Sequence, residues 1–349
     1  MRNNSQRFDM SEPVTVAGLT VRPGEKARSV LSFPDFWADG QSLEIPFMVL
    51  HGKKPGKTLY VQVAQHGSEI MGIDALRRLM AELDPREMRG TLIYCLPNPL
   101  AFREKTRATM FDPKPGGMNR VWPGDPQGSL TERMAHRVWA ELVCHADEVV
   151  DLHTASRYCP VWVFYEADGV SETAPSETAR RSEEMARLFG APIMYVETEA
   201  YGGRQTLRAS CVDKGVPAIV PELGGPAHFD EEAVNIAYRG IKNIMKDLGI
   251  IEGEVELPER QVKLKWRSDP KVYVAHCDKG GVFIPSVCLG DTVNEGDEVG
   301  FIYSPRDFEI IEHVESPQTG YVFTIRENPV VHPGDRLVSV PEIIEWLDN

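Results

Sequence analysis

The chain has 349 residues, 42% of them hydrophobic and 26% charged, which is the composition of an ordinary globular protein and more chain than a single small core organises. Its 52 Asp and Glu outnumber 38 Lys and Arg, and a net charge of -14 argues against a phosphate-backbone partner or an anionic membrane surface. "MRNNSQRFDM" holds no apolar signal core, and no later stretch reaches the roughly 18 to 20 apolar residues that a membrane span needs. The expected location is therefore the cytoplasm. The six cysteines carry no C-x-x-C pair and read as reduced structural thiols.

In chain order, "KTLYVQVAQHG" reads as a buried strand, and "GIDALRRLMAEL" as a helix with Ile73, Leu76, Leu79, Met80 and Leu83 on one face. "GTLIYCLPNPLA" is a second strand, ended by Pro97. A long Gly/Pro-rich loop follows, "FDPKPGGMNRVWPGDPQG", and loops of that length in a compact domain are usually functional. Ser129 and Glu132 then form a capping-box pattern that opens a helix. "DEVVDLHTA" is a third strand, "ETARRSEEMARLFG" a helix, "VPAIVPELGG" a strand, and "FDEEAVNIAYRGIKNIMKDLG" a helix. Strands alternating with helices predict an α/β layer architecture around a substantially parallel sheet.

The texture changes near Glu252. The charged linker "EGEVELPER" leads into short β runs with Gly-Asp turns, and "VCLGDTV" at Val287 to Val293 repeats weakly as "VHPGDRL" at Val331 to Leu337. The division expected is residues 1–255 as one unit and residues 256–349 as a small all-β, barrel-sandwich-like unit. The spacing is similar to lipoyl and biotinyl modules, but no lysine sits at the tip of either turn, so no such attachment is predicted.

Open α/β sheets bind ligands outside the carboxyl ends of their strands. Three strands end in candidate chemistry: His66 and Glu69 in "QHGSE", His153 in "DLHT", and Glu222 in "PELGG". Two imidazoles and a carboxylate suit a divalent ion such as Zn²⁺ with one position left for water. Taken singly, each is also compatible with a bland role: a capped helix start for His66 and Glu69, a hydrogen-bonded strand end for His153, and a carboxylate satisfied by backbone N–H groups for Glu222.

In order, "HGSE", "NPLAFREKTR" (Asn98 to Arg107), "MNRVWPG" (Met118 to Gly124), "DLHTA" and "ELGG" resemble the succinylglutamate desuccinylase/aspartoacylase family, over roughly residues 10 to 345. That resemblance implies a zinc amidase with a metallocarboxypeptidase-like three-layer α/β domain, a mixed and largely parallel central sheet, and a C-terminal β domain capping the site. It implies His66, Glu69 and His153 as ligands of one Zn²⁺ per chain, Glu222 as general base and Arg107 as the group polarising the scissile carbonyl. Asn119 and Arg120 would bind the substrate's α-carboxylate, Arg208 would help recognise the acyl or amino-acid part, and Arg103 and Arg204 would be surface charges.

One position departs from the family pattern. Where Asp-Leu-Asn-Arg is common, this chain reads Gly117-Met118-Asn119-Arg120, which removes a carboxylate that often orients the first histidine. Asp112 is the candidate replacement, and Asp151 a candidate partner for His153. The activity expected is hydrolysis of a small anionic N-acyl amino acid in amino-acid metabolism. The alternatives are a zinc carboxypeptidase on short peptides and an inactive ligand-binding homologue. A homo-oligomer is compatible with the sequence but not called for by it.

Overall fold

The computed structural model describes residues 12–155, 159–199, 204–225 and 229–349. A small hairpin, β1 (Val14–Val16) and β2 (Leu19–Val21), precedes two long antiparallel strands, β3 (Glu25–Phe33) and β4 (Leu43–His51). The α/β repeat follows: β5 (Lys54–Val63), α1 (Met71–Glu82), β6 (Arg89–Cys95), α2 (Pro99–Glu104), α3 (Leu130–Glu141) and β7 (Glu148–Leu152). It continues through β8 (Trp162–Glu166), α4 (Ser176–Phe189), β9 (Ile193–Glu197), α5 (Leu207–Asp213), β10 (Ala218–Glu222) and α6 (Glu231–Asp247) to β11 (Arg260–Trp266).

Period-two alternation explains how the sheet faces are assigned. In β5, Leu59, Val61 and Val63 enter a core with the buried faces of α1, α4 and α6, whereas Tyr60 enters a second core with α3, α5 and the hairpin. In β7 the division repeats, with Val150 and Leu152 on the first side and Val149 on the second. Gln62 and Asp151 therefore share the α3/α5 side of the sheet, near the strands' carboxyl ends. The Ser129 capping box forms as expected, with reciprocal bonds between Ser129 and Glu132.

After β11 come β12 (Val274–His276), β13 (Gly281–Pro285), β14 (Thr292–Val293), β15 (Glu298–Tyr303), β16 (Ile310–Glu315), β17 (Gly320–Tyr321), β18 (Thr324–Ile325), β19 (Val330–Val331), β20 (Arg336–Ser339) and β21 (Ile343–Asp348). Among them β12 to β20 make three small sheets around a separate core that includes Phe283, Val299, Ile302 and Val338. The Gly-Asp repeat has a structural cause: Asp291 accepts from Cys288 N at 2.7 Å and Asp335 from His332 N at 2.8 Å, each beside a glycine of positive φ. A third copy escaped the sequence comparison, since Asp297 accepts from Asn294 N at 2.7 Å in the same way.

The large sheet has ten strands in the order β21-β11-β9-β8-β10-β7-β5-β6-β4-β3. It is mixed, with a parallel run of β10, β7, β5 and β6 at its centre and antiparallel strands towards both edges. Residues after the linker take part in it, because β11 runs parallel to β9 and β21 closes the edge beside β11. Among the described residues, no helix is long and apolar enough to cross a membrane.

Candidate active site

Three crossovers bring the candidates together at the carboxyl ends of β5, β7 and β10. The turn after β5 carries His66 and Glu69. It is held close to α2 by Gly67, whose N–H donates to the Thr106 carbonyl at 2.7 Å. A Cβ at residue 67 would lie 1.8 Å from the Ala101 carbonyl oxygen, so only glycine allows this approach. His153 follows β7 and is bridged in parallel register to Glu222 at the end of β10.

His66, Glu69 and His153 form a buried group whose ligand atoms lie within 4.8 Å of one another. One Glu69 oxygen lies 2.8 Å from His66 Nδ1 and accepts from Arg107 at 2.9 Å; the other lies 2.9 Å from His153 Nδ1 and accepts from Thr154 N at 3.2 Å. Helix α1 starts only at Met71 and has no side-chain cap. Glu69 therefore faces the histidines rather than capping the helix.

Both imidazoles present Nδ1 to this centre, and each has a polar oxygen close behind it at Nε2. Asp151 lies 3.1 Å from His153 Nε2, as its place two residues earlier on β7 suggested. Asp112 does not substitute for the missing aspartate: its carboxylate accepts from Thr109 N and from the Thr131 hydroxyl at 2.7 Å. The partner of His66 Nε2 is instead the Gly116 carbonyl, at 3.3 Å. Gly116 and Gly117 both have positive φ, +97° and +67°, so the chain turns here in a conformation that an aspartate at residue 117 would adopt only with strain.

A layer of amides behind the histidines was not anticipated. Trp122 Nε1 donates to Gln65 Oε1 at 2.6 Å, Gln62 Nε2 donates to Asp151 at 2.8 Å and to Gln65 at 3.3 Å, and Tyr60 donates to Gln62 at 3.0 Å. Polar residues at alternating positions of an apolar strand, Gln62 within "YVQVAQ", were the available signal.

The electrostatics favour a cation. Burial opposes ionisation of Glu69, but His153 and His66 outweigh it and hold the carboxyl well below its usual range. Burial likewise opposes protonation of His153, yet Asp151 and Glu69 raise it well above an ordinary histidine, whereas burial leaves His66 lowered. Glu222 behaves differently. Burial pushes its carboxyl up to about 8 against the pull of His153, and its Oε2 is buried with no hydrogen-bond partner among the described residues.

A cavity of about 290 Å³ opens here, lined by Glu222, Arg107, Asn119, Arg120 and Arg208. Arg107 is half exposed; Asn119 and Arg120 sit on the short turn Gly117–Arg120 of the long loop. Arg208 is 3% exposed, pairs with both Glu166 and Glu197, and lies over the Phe164 ring at 4.9 Å. Arg204 is no surface charge: it pairs with Glu166 at 3.0 Å and with Asp213. Arg103 is exposed. The remaining wall is aromatic, with Trp162 at 5.3 Å from Tyr195 and 5.6 Å from Phe323 between ring centres.

The sequence profile of the succinylglutamate desuccinylase/aspartoacylase catalytic domain matches residues 55–248, more than half of the chain, a span that includes His66, Glu69, Arg107, His153 and Glu222. The chain belongs to the succinylglutamate desuccinylase/aspartoacylase family. N-alpha-acetyl-L-2,4-diaminobutyric acid deacetylase of Halomonas elongata is 29% identical to this member, over 94% of this chain and all of its own. The solved succinylglutamate desuccinylase/aspartoacylase of Rhodobacter sphaeroides is 27% identical with a TM-score of 0.76, covering 92% of this chain and 97% of that one. The product-bound ectoine utilization protein EutE (DoeB) of Ruegeria pomeroyi is 25% identical with a TM-score of 0.78, covering 95% and 98%.

Proposed function

We propose that this family member is a zinc-dependent deacylase that hydrolyses the amide bond of a small N-acyl amino acid to a carboxylate and a free amine. One observation carries the reading: a buried His66/Glu69/His153 group adjoins Arg107, paired to Glu69, and Glu222, bridged to His153 and with one buried oxygen lacking a hydrogen-bond partner among the described residues, and both Arg107 and Glu222 line one cavity. The donor set fits zinc in number and type, and the hold on each imidazole Nε2 leaves both Nδ1 atoms facing the same point. Zinc bound there supplies Lewis acidity, polarising the amide carbonyl and making a water molecule more acidic.

The chain's own residues then divide the work. Glu222 takes the proton of the attacking water and returns it to the leaving nitrogen, a role worth about 10² to 10⁴-fold. A nearby cation favours its ionised form, countering the upward push of burial. Arg107 places a guanidinium where negative charge develops on the carbonyl oxygen. Asn119 and Arg120 hold the substrate's carboxylate, and the long loop they sit on selects for a single free amino acid. Arg208 contributes to the shape of the cavity, with its charge shared between Glu166 and Glu197.

Residues 256–349 cap the site, as their contributions Tyr273, Phe323 and Arg336 to the cavity wall support. Such a cap disfavours long peptides and so the carboxypeptidase alternative. The relatives' named substrates make N-acetyl amino acids, N-acetyl-2,4-diaminobutyrate among them, the first compounds to assay. The test is a panel of N-acetyl, N-succinyl and other N-acyl amino acids with zinc-loaded protein, beside short peptides. Release of free amine from at least one N-acyl amino acid is expected, and cleavage of peptides alone would overturn the reading.

A further inference from the structure

Four arginines line the cavity: Arg107, Arg120, Arg208 and Arg336. A substrate carboxylate has to be taken from water by guanidinium donors that are not already spent, and the four differ sharply in that respect. Arg107 is joined to Glu69 at 2.9 Å. Arg120 donates to the Asn119 carbonyl at 2.7 Å. Arg208 is shared between two buried carboxylates, Glu166 and Glu197, which already take up its charge.

Arg336 is the exception. It begins β20, in the C-terminal part of the chain, and its side chain reaches the same cavity as Glu222 and Arg107. Among the described residues its guanidinium has no ion pair or hydrogen bond. The nearest acid in sequence, Asp335, is taken by Arg326 at 3.0 Å and by His332 N at 2.8 Å. In a chain with 52 acidic residues, an arginine left without a carboxylate partner and turned into a cavity has its own donors to offer.

We propose that Arg336 is a specificity-determining residue that joins Asn119 and Arg120 on the free carboxylate of the substrate, from the C-terminal wall of the cavity. This rests on the deacylase reading, and it gives the C-terminal part a chemical role beyond closing the site. Its fork matches the two oxygens of a carboxylate, and its exposure in the free protein leaves little structure to rearrange when the ligand arrives.

The experiment pairs the best N-acetyl amino acid of the panel with its carboxamide, which keeps the scissile bond and removes the negative charge. Zinc-loaded wild type, Arg336→Gln and Arg336→Lys are compared on both. Losing a hydrogen bond to a charged group raises KM for the acid by about ten- to a hundred-fold in Arg336→Gln, with kcat nearly unchanged. The carboxamide shows no such penalty, and Arg336→Lys recovers only part because it keeps the charge without the fork. Thermal unfolding is unchanged in all three. An unaltered KM for the acid, or the same penalty on acid and carboxamide, overturns the proposal. If wild type hydrolyses no N-acyl amino acid, the deacylase reading itself falls. Calorimetric binding of N-acetyl amino acids to wild type and Arg336→Gln then tests Arg336 separately, and equal affinity for both proteins overturns it.

Discussion

Glu222→Gln separates a general base from a structural carboxylate, because the two roles move stability in opposite directions. As a base, Glu222 loses its proton-accepting oxygen, and turnover falls by about 10² to 10⁴-fold while zinc stays bound. The stability effect follows from the raised carboxyl, pushed up to about 8 in the folded chain against 4.5 for a glutamate in water. Between those values the folded state binds a proton that the unfolded state has released, so the metal-stripped protein loses stability as pH rises from about 4.5 to 8. At pH 7 that cost is on the order of 3 kcal/mol, at about 1.36 kcal/mol per pKa unit. Glutamine does not ionise and removes it, but introduces an unpaired buried amide costing about 1–3 kcal/mol. The net expectation is a gain of up to about 2 kcal/mol at pH 7 and a flatter stability curve between pH 5 and 8. Urea denaturation of chelator-treated wild type and variant across that range, with amine-release assays on the zinc-loaded forms, reads both effects. A variant that is less stable than wild type at pH 7 and keeps more than a tenth of its turnover refutes the reasoning.

The other predictions concern what holds the site in place. Asp151→Asn weakens the charge that raises His153 and is expected to cost about 10- to 100-fold in zinc affinity, measured by competition with a chromophoric chelator. Arg208→Met leaves Glu197 without this partner in a buried setting and should cost about 3–5 kcal/mol in urea denaturation; a residue serving only to bind substrate would leave stability unchanged. Gly67→Ala forces a methyl into the Ala101 carbonyl, displacing the turn that carries His66 and Glu69, and both zinc stoichiometry by metal analysis and soluble yield should fall.

The parts of this molecule legible from its sequence are those written in short periods. The apolar runs at β5 and β7 read as strands, and the Ser129-x-x-Glu132 pattern gave the start of α3. The clustering of His66, Glu69 and His153 was legible because they follow the carboxyl ends of two strands of an open α/β sheet, where the topology leaves side chains at one edge. What could not be read were partners set by tertiary approach. Arg204 and Arg208 sit in a polar-looking stretch, and only the folding of α5 against the ends of β8 and β9 brings Glu166 and Glu197 to them. The pairing of β11 with β9 was hidden for a related reason: its partner lies across two helices, a strand and the linker, and nothing local in "RQVKLKW" names it.

The substitution at residue 117 shows how such a gap arises. Judged by side chains, loss of the aspartate removes the orienting group of His66, and the natural search is for another carboxylate nearby. Asp112 meets that description and is nevertheless committed to Thr109 and Thr131. The compensation lies in the backbone. Two glycines at positive φ turn the loop so that a carbonyl, which every residue carries, meets Nε2 at 3.3 Å. A neutral acceptor fixes the same tautomer as a carboxylate, leaving Nδ1 free to bind metal, but it does not raise the basicity of the imidazole to the same degree. His153 has a carboxylate 3.1 Å from its Nε2 where His66 has a carbonyl, and an aspartate at residue 117 would have to strain the turn that now supports His66.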